Sequence, residues 1–117
     1  MNNAIEKELL DTGVLILRLN RPEVLNAMNR DLIVGLLDTI NDTAHDEKVR
    51  SIVLTGNGRG FCAGADLVDG GWPNEDNLSA GQSAGKNMET AFNPLVKAIT
   101  QSGKPIVTAI NGIAAGG

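Results

Sequence analysis

Two stretches of small residues, Gly60-Phe61-Cys62-Ala63-Gly64-Ala65-Asp66-Leu67 and Asn111-Gly112-Ile113-Ala114-Ala115-Gly116-Gly117, each follow a short apolar run of β-forming residues. Gly and Ala at the end of a strand let a ligand approach the backbone closely. They also leave main-chain N–H groups that can point at a developing negative charge. The chemistry such a pair of loops could serve is stabilisation of an oxyanion.

The reactive side chains near these loops read differently. Cys62, the only cysteine, has no His or Asp placed to activate it and reads as a small buried residue. His45, the only histidine, sits beside Asp46 and Glu47 near the end of a helix, which suggests a helix-end or solvent role. Asp66 could act as a general base, but a loop aspartate more readily orders its turn by hydrogen bonding to main-chain N–H groups just ahead. Gly56-Asn57-Gly58-Arg59-Gly60 has a superficial likeness to a dinucleotide fingerprint. The spacing fails, because Phe61 stands where the third glycine of Gly-x-Gly-x-x-Gly belongs.

Elements to carry these loops are visible in the pattern. Ile5–Leu9 and Val14–Leu19 read as a hairpin turning at Asp11-Thr12-Gly13. Arg21-Pro22 breaks the second strand, and Asn29 is placed as the N-cap of a helix over Arg30–Ala44 with Ile33, Leu36, Leu37 and Ile40 as its buried stripe. Ser51–Thr55 is a short apolar strand. Asp69–Ser83, rich in Gly, Asn, Asp and Ser with Pro73, shows no periodicity and reads as a mobile surface segment. Phe92, Leu95, Val96 and Ile99 predict a second helix over Lys86–Gln101, with Pro94 kinking it or marking its true start. Ile106–Ile110 predicts a third buried strand. The order β-β-α-β-loop-α-β-loop points to an α/β fold.

Composition excludes several classes. With three aromatic residues (Trp72, Phe61, Phe92) and no Tyr, a base-stacking surface has little to be built from. A net charge of −4 disfavours bulk attraction to nucleic acid or anionic membranes. A single cysteine allows no internal disulfide and fits a reducing compartment. Met1–Glu8 lacks the features of a secretory or transit leader, and no apolar run is long enough to span a bilayer, so the expected location is the cytoplasm.

Three ordered segments carry a family resemblance: Leu19–Met28, Val53–Leu67 and Lys104–Gly117. Together they resemble the crotonase family, the enoyl-CoA hydratase/isomerase superfamily. Phe92-Asn93-Pro94-Leu95-Val96-Lys97 looks most like its phenylacetate-pathway branch, which isomerises a ring-epoxide acyl-CoA. The resemblance implies a spiral of ββα units, with residues 1–117 forming the N-terminal part of a single domain. Further units and closing helices are expected beyond Gly117. It implies an acyl-CoA substrate, no cofactor other than the coenzyme A that substrate carries, no metal, and a homotrimer or hexamer. By the same analogy the Ala65 and Gly117 N–H groups form the oxyanion hole, main chain near Val24, Leu25 and Ala63 meets the CoA adenine and ribose-phosphate, and Asp66 and Leu67 flank the acyl chain. Glu23 leaves no Lys or Arg at that position for a CoA phosphate. The family's acid and base are two glutamates expected after its triple-glycine turn, whose middle glycine the resemblance matches to Gly117. Two other readings stand beside this one. A non-catalytic crotonase-like domain would bind CoA or assist assembly, and a ββα-spiral serine peptidase would need a Ser in one of the loops, where none occurs.

Overall fold

The computed structural model of the protein describes residues 3–70, 72 and 77–117. Strands β1 (Ile5–Leu9) and β2 (Val14–Leu19) form the expected antiparallel hairpin, with Ile5 opposite Leu19 and Leu9 opposite Leu15. The turn closes through Leu10 N–H to Val14 O at 2.8 Å and Gly13 N–H to Leu10 O at 3.0 Å. A 3-10 turn at Pro22–Val24, not foreseen in the sequence, comes after β2.

Helix α1 (Arg30–Thr43) starts where the capping residue dictates, since Asn29 Oδ1 accepts the Leu32 N–H at 2.9 Å. Its Leu32, Ile33, Leu36 and Ile40 pack with Leu15, Leu17 and Leu19 of β2 and with Ile52 and Leu54 of the next strand. Each such side chain withdrawn from water contributes about 1.5–3 kcal/mol. The cation at the C-terminal end of α1 is Lys104, whose ammonium donates to Thr43 O and Asp46 O. His45 is exposed.

Strand β3 (Ser51–Gly56) lies parallel to β2, and β5 (Ile106–Thr108) lies parallel to β3. The sheet order is β1-β2-β3-β5. Two shorter strands, β4 (Gly60–Cys62) and β6 (Ile113–Ala114), form a second parallel sheet. The chain therefore adds one strand to each sheet as it passes from β3 and β4 to β5 and β6.

Three sequence expectations need correction. The glycine-rich stretches are not loops throughout, because each begins as a strand, β4 or β6, that pairs with the other. The expected buried strand Ile106–Ile110 is shorter, and it is exposed at Val107, Thr108 and Ile110. It forms the edge of its sheet, where apolar composition alone does not produce burial. The second helix begins six residues earlier than its apolar stripe implies. Helix α2 (Ala80–Asn87) is fixed by a capping box in which Ser79 Oγ accepts the Gln82 N–H and Gln82 Oε1 accepts the Ser79 N–H. No residue of α2 is buried, so no periodicity could announce it. Of the segment read as mobile, residues 71 and 73–76, Pro73 among them, lie outside the described residues.

A π turn, Met88–Phe92, joins α2 to helix α3 (Asn93–Thr100). Pro94 sits in the first turn of α3, so it marks a start rather than a kink. Its ring would collide with a carbonyl in a regular preceding turn, and the widened π turn relieves that conflict.

Candidate active site

The two glycine-rich segments meet through their strands. Gly60 is opposite Ile113 and Cys62 opposite Ala114, and Ala115 N–H donates to Cys62 O at 2.9 Å. Beyond the strands the backbones stay in contact. A Cβ added to Gly64, whose φ is +105°, would lie 3.1 Å from Ala115 O and 3.6 Å from Gly116 Cα. Gly116, at φ +64°, faces Gly64 in return, with 3.2 Å to its Cα. Both positions need glycine, for conformation and for space.

On its other side the first loop pairs with residues 25–28. Ala63 N–H donates to Leu25 O at 3.0 Å, Met28 N–H to Gly64 O at 2.7 Å, and Asp66 N–H to Met28 O at 2.9 Å. Met28 thus bridges Ala65 in parallel, using the groups of residues 64 and 66. In that pattern the N–H of Ala65 itself faces away from Met28, toward the side on which β6 and its loop run. Among the described residues neither the Ala65 nor the Gly117 N–H donates a hydrogen bond, and both residues are exposed.

Asp66 is buried, and its carboxylate is fully engaged. Oδ1 accepts the N–H groups of Asp69 at 2.8 Å and Val68 at 3.0 Å, and Oδ2 meets Arg21 Nη1 at 3.0 Å. The Asp69 and Val68 N–H groups hold the carboxyl below its ordinary value of 3.8, the Arg21 guanidinium adding to them against the opposing effect of burial. An anion held in this way is a loop organiser rather than a base. Arg21 Nη1 also donates to Ala27 O.

Asn26, fully buried at φ 55°, locks the same turn to the β3–β4 connection. Its Oδ1 accepts the Arg21 N–H at 2.7 Å, and its Nδ2 donates to Asn57 O at 3.0 Å and Gly60 O at 2.9 Å. Leu25, at φ 54°, shares the left-handed conformation, so two consecutive non-glycine residues are strained to shape this turn. From the other loop Asn111 reaches back, accepting the Gly56 N–H at 3.0 Å and donating to Gly58 O at 3.0 Å.

Behind Gly117 lies an apolar wall. A Cβ at Gly117 would collide with Met28 Cε and stand 3.7 Å from Phe92 Cε1. The rings of Phe92 and Trp72 are 5.3 Å apart and inclined by 33°. Trp72 Nε1 donates to Asp66 O at 3.2 Å. Beneath residues 114–117 a cavity of about 280 Å³ is lined by Met28, Leu36, Phe61, Cys62 and Leu95 among others.

The structure brings Ala63, Ala65, Asp66 and Gly117 into one neighbourhood with Leu25. Val24 N–H and O, Leu25 N–H and O, and the Ala63 N–H are bonded within the protein. Leu67 is 93% exposed. Cys62 is buried and unpaired, as the sequence implied. Sequence reasoning gave Arg21 only a strand-breaking role and Phe92 only a place on a helix stripe and in a motif, and it assigned no individual role at the site to Asn26, Met28, Trp72 or Asn111. The left-handed Leu25-Asn26 turn gave a faint signal, an Asn four residues after Pro22. The others depend on partners far along the chain.

The family model described as enoyl-CoA hydratase/isomerase matches residues 10–117. The 1,2-epoxyphenylacetyl-CoA isomerase of Escherichia coli K12 is 40% identical over 107 residues, covering 92% of this chain and 40% of that protein. A probable enoyl-CoA hydratase of Rhodobacter capsulatus is 36% identical over 111 residues, again with 92% of this chain and 38% of its own length. Among solved structures, a probable enoyl-CoA hydratase/isomerase from Mycobacterium abscessus superposes with a TM-score of 0.77 at 31% identity, over 94% of this chain and 40% of the other. A monofunctional enoyl-CoA isomerase from M. smegmatis gives 0.70 at 28% identity, over 93% of this chain and 41% of the other. The chain thus spans about two-fifths of the length of these relatives.

Proposed function

The chain belongs to the enoyl-CoA hydratase/isomerase family, and on that premise we propose that it grips an acyl-CoA thioester with the carbonyl oxygen between the Ala65 and Gly117 N–H groups. The observation that carries the reading is the contact of the two loops. Each presents an exposed N–H without a partner among the described residues, and the β4–β6 pairing holds the loops side by side.

Removing a proton beside a thioester, or adding water across its conjugated double bond, builds enolate charge on the carbonyl oxygen. Donors fixed at that point before reaction stabilise the transition state, and loss of one costs about 10²–10³ in rate. Asp66 takes no part in proton transfer on this reading, because its carboxylate is already engaged by Arg21 and two main-chain N–H groups. Its role is to hold Ala65 in place. The N–H and carbonyl groups of Val24 and Leu25 and the Ala63 N–H are already bonded within the protein. These residues would therefore meet the CoA moiety by surface contact or through the Ala63 carbonyl, and Leu67 offers an exposed apolar side chain along the acyl group. The proton-transferring acid and base are expected outside these loops, on glutamates after the triple-glycine turn.

The reaction class is hydration or double-bond migration of an acyl-CoA, with isomerisation of a ring-derived acyl-CoA as the branch favoured by the relative at 40% identity. No cofactor beyond the CoA of the substrate is required. The same family premise carries the expectation of a cytoplasmic homotrimer or hexamer. Among the described residues no helix is long and apolar enough to cross a membrane.

The test measures binding of crotonyl-CoA and free CoA by calorimetry, with hydration and 3-enoyl isomerisation assayed on the full-length protein, which on the family premise carries the acid and base that residues 1–117 alone do not supply. Gly117→Pro removes one N–H donor but also sets a Cβ against Met28, so it is compared with Gly117→Ala, which adds the Cβ and keeps the N–H. Turnover should be about 10²–10³-fold lower in the Pro than in the Ala variant while thioester affinity differs far less. Failure of the unmodified protein to bind any acyl-CoA overturns the reading.

A further inference from the structure

We infer that Met28 is a positioning residue that sets the gap between the two proposed donors, its main chain aiming the Ala65 N–H and its side chain seating Gly117. The inference rests on the acyl-CoA reading above and concerns how the two loops are kept in register.

The first donor is fixed through a shared peptide unit. Gly64 O, which accepts the Met28 N–H at 2.7 Å, belongs to the same planar, trans peptide as the Ala65 N–H. The carbonyl and N–H of such a unit point in opposite directions, so the bond that draws Gly64 O to Met28 turns the Ala65 N–H away from it. The next unit is held in the same way, by Asp66 N–H to Met28 O at 2.9 Å. Ala65 therefore has a bond to Met28 on either side, and its N–H has little freedom to swing.

The second donor lacks such bonds. Past Ala115, whose N–H donates to Cys62 O, no main-chain hydrogen bond among the described residues holds Gly116 or Gly117. What stands against Gly117 is the Met28 side chain, with which a Cβ built there would collide at Cε and lie 4.0 Å from Sδ. Met28 is 6% exposed and lines the cavity of about 280 Å³ together with Gly116 and Gly117. Without the thioether the Gly117 backbone would face empty space into which it could sink. One residue thus touches both loops, through bonds on one side and packing on the other. An unbranched thioether suits the second task, because it can follow an irregular gap that a branched side chain cannot.

The test uses the full-length protein with Met28→Ala, Met28→Leu and Leu95→Ala. Leu95 lines the same cavity but is not among the nearest neighbours of Gly117, so its truncation opens space without removing the seat. The thioester C=O stretch of bound butyryl-CoA, a saturated and unreactive ligand, is read by isotope-edited infrared difference spectroscopy, since fixed donors on the oxygen lower its frequency. Steady-state kinetics on a 3-enoyl-CoA and a thermal melt accompany each variant. Met28→Ala should return the stretch toward that of free butyryl-CoA and lower kcat about tenfold to hundredfold with little change in KM. Met28→Leu, similar in volume but shorter, should shift the stretch less and in the same direction, and Leu95→Ala should leave it in place. A stretch unmoved in Met28→Ala, or moved equally in Leu95→Ala, assigns Met28 to packing alone and overturns the inference. Should Met28→Ala not fold, Met28→Leu decides, a stretch identical to that of the unmodified protein overturning it. An unmodified protein that binds no butyryl-CoA, or binds it without lowering the stretch, instead overturns the acyl-CoA reading beneath.

Discussion

Arg21 and Asp66, 45 positions apart, meet at 3.0 Å with their side chains only 13% and 8% exposed. The pair fastens the turn after β2 to the loop that presents Ala65. The positive partner is itself held by Ala27 O, and the negative one by the Val68 and Asp69 N–H groups. Neither charge is left to be solvated by water alone, the condition under which a buried pair is tolerated.

The pH dependence of stability is set by that pair. Because the folded-state carboxyl of Asp66 lies below its ordinary value of 3.8, it contributes stability that is complete above that value and is lost as pH falls through the folded pKa. Asp66→Asn removes the titration. In urea melts from roughly pH 6 downward, the unmodified protein should be the more stable at the upper end, and the gap should close in acid below 3.8. A gap that stays constant through that window would show that the carboxylate form has no special partner.

Asn26 gives the steepest expected loss. It is fully buried, makes three hydrogen bonds and sits at φ 55°. Asn26→Ala takes away the side-chain partner of the Arg21 N–H and the Asn57 carbonyl, leaves the Gly60 carbonyl to Asn111 alone and keeps a Cβ in the left-handed region, for a cost of about 3 kcal/mol. Asn26→Gly loses the same bonds but relieves the backbone, so it should be less damaging by about 1 kcal/mol. Chemical denaturation of the three proteins should rank them Asn, Gly, Ala.

How much of the fold is legible in the sequence depends on how local each determinant is. The β1–β2 hairpin and α1 are specified within a few residues, by a turn at Gly13 and a cap at Asn29, and the structure keeps them nearly to the residue. The two close-approach loops are legible because the Gly64 and Gly116 backbones admit little else. The roles of Arg21, Asn26 and Trp72 are not, because each depends on a partner that only folding brings near. Strands β4 and β6, three and two residues long, are too short to show an alternation. Helix α2 is hidden because none of its residues is buried, so no apolar stripe marks it.

The same exposure makes α2 separable from the rest of the molecule. Its start depends on Ser79 and Gln82, each bonding the other's main-chain N–H. Ser79→Ala should cost about 1 kcal/mol of local helix stability. Because no residue of α2 is buried, the loss should appear as faster amide exchange in residues 80–87 and leave exchange in β2 and β3 unchanged. Faster exchange throughout the molecule would mean that α2 is coupled to the core after all.

Gly64 ties the fold directly to the proposed chemistry. At φ +105°, with Ala115 O 3.1 Å from where a Cβ would stand, Gly64→Ala strains its own backbone and presses on the second loop at once. A cost of about 1–3 kcal/mol is expected from the conformation. The catalytic consequence should be separable from it. Moving the Ala65 N–H relative to that of Gly117 misplaces donors needed most when charge develops, so kcat should fall more than KM rises. At a temperature where the variant is fully folded by circular dichroism, steady-state kinetics on crotonyl-CoA and a 3-enoyl-CoA would measure the split. A variant that loses stability yet keeps its full kcat would show that the spacing of the two loops does not govern the reaction.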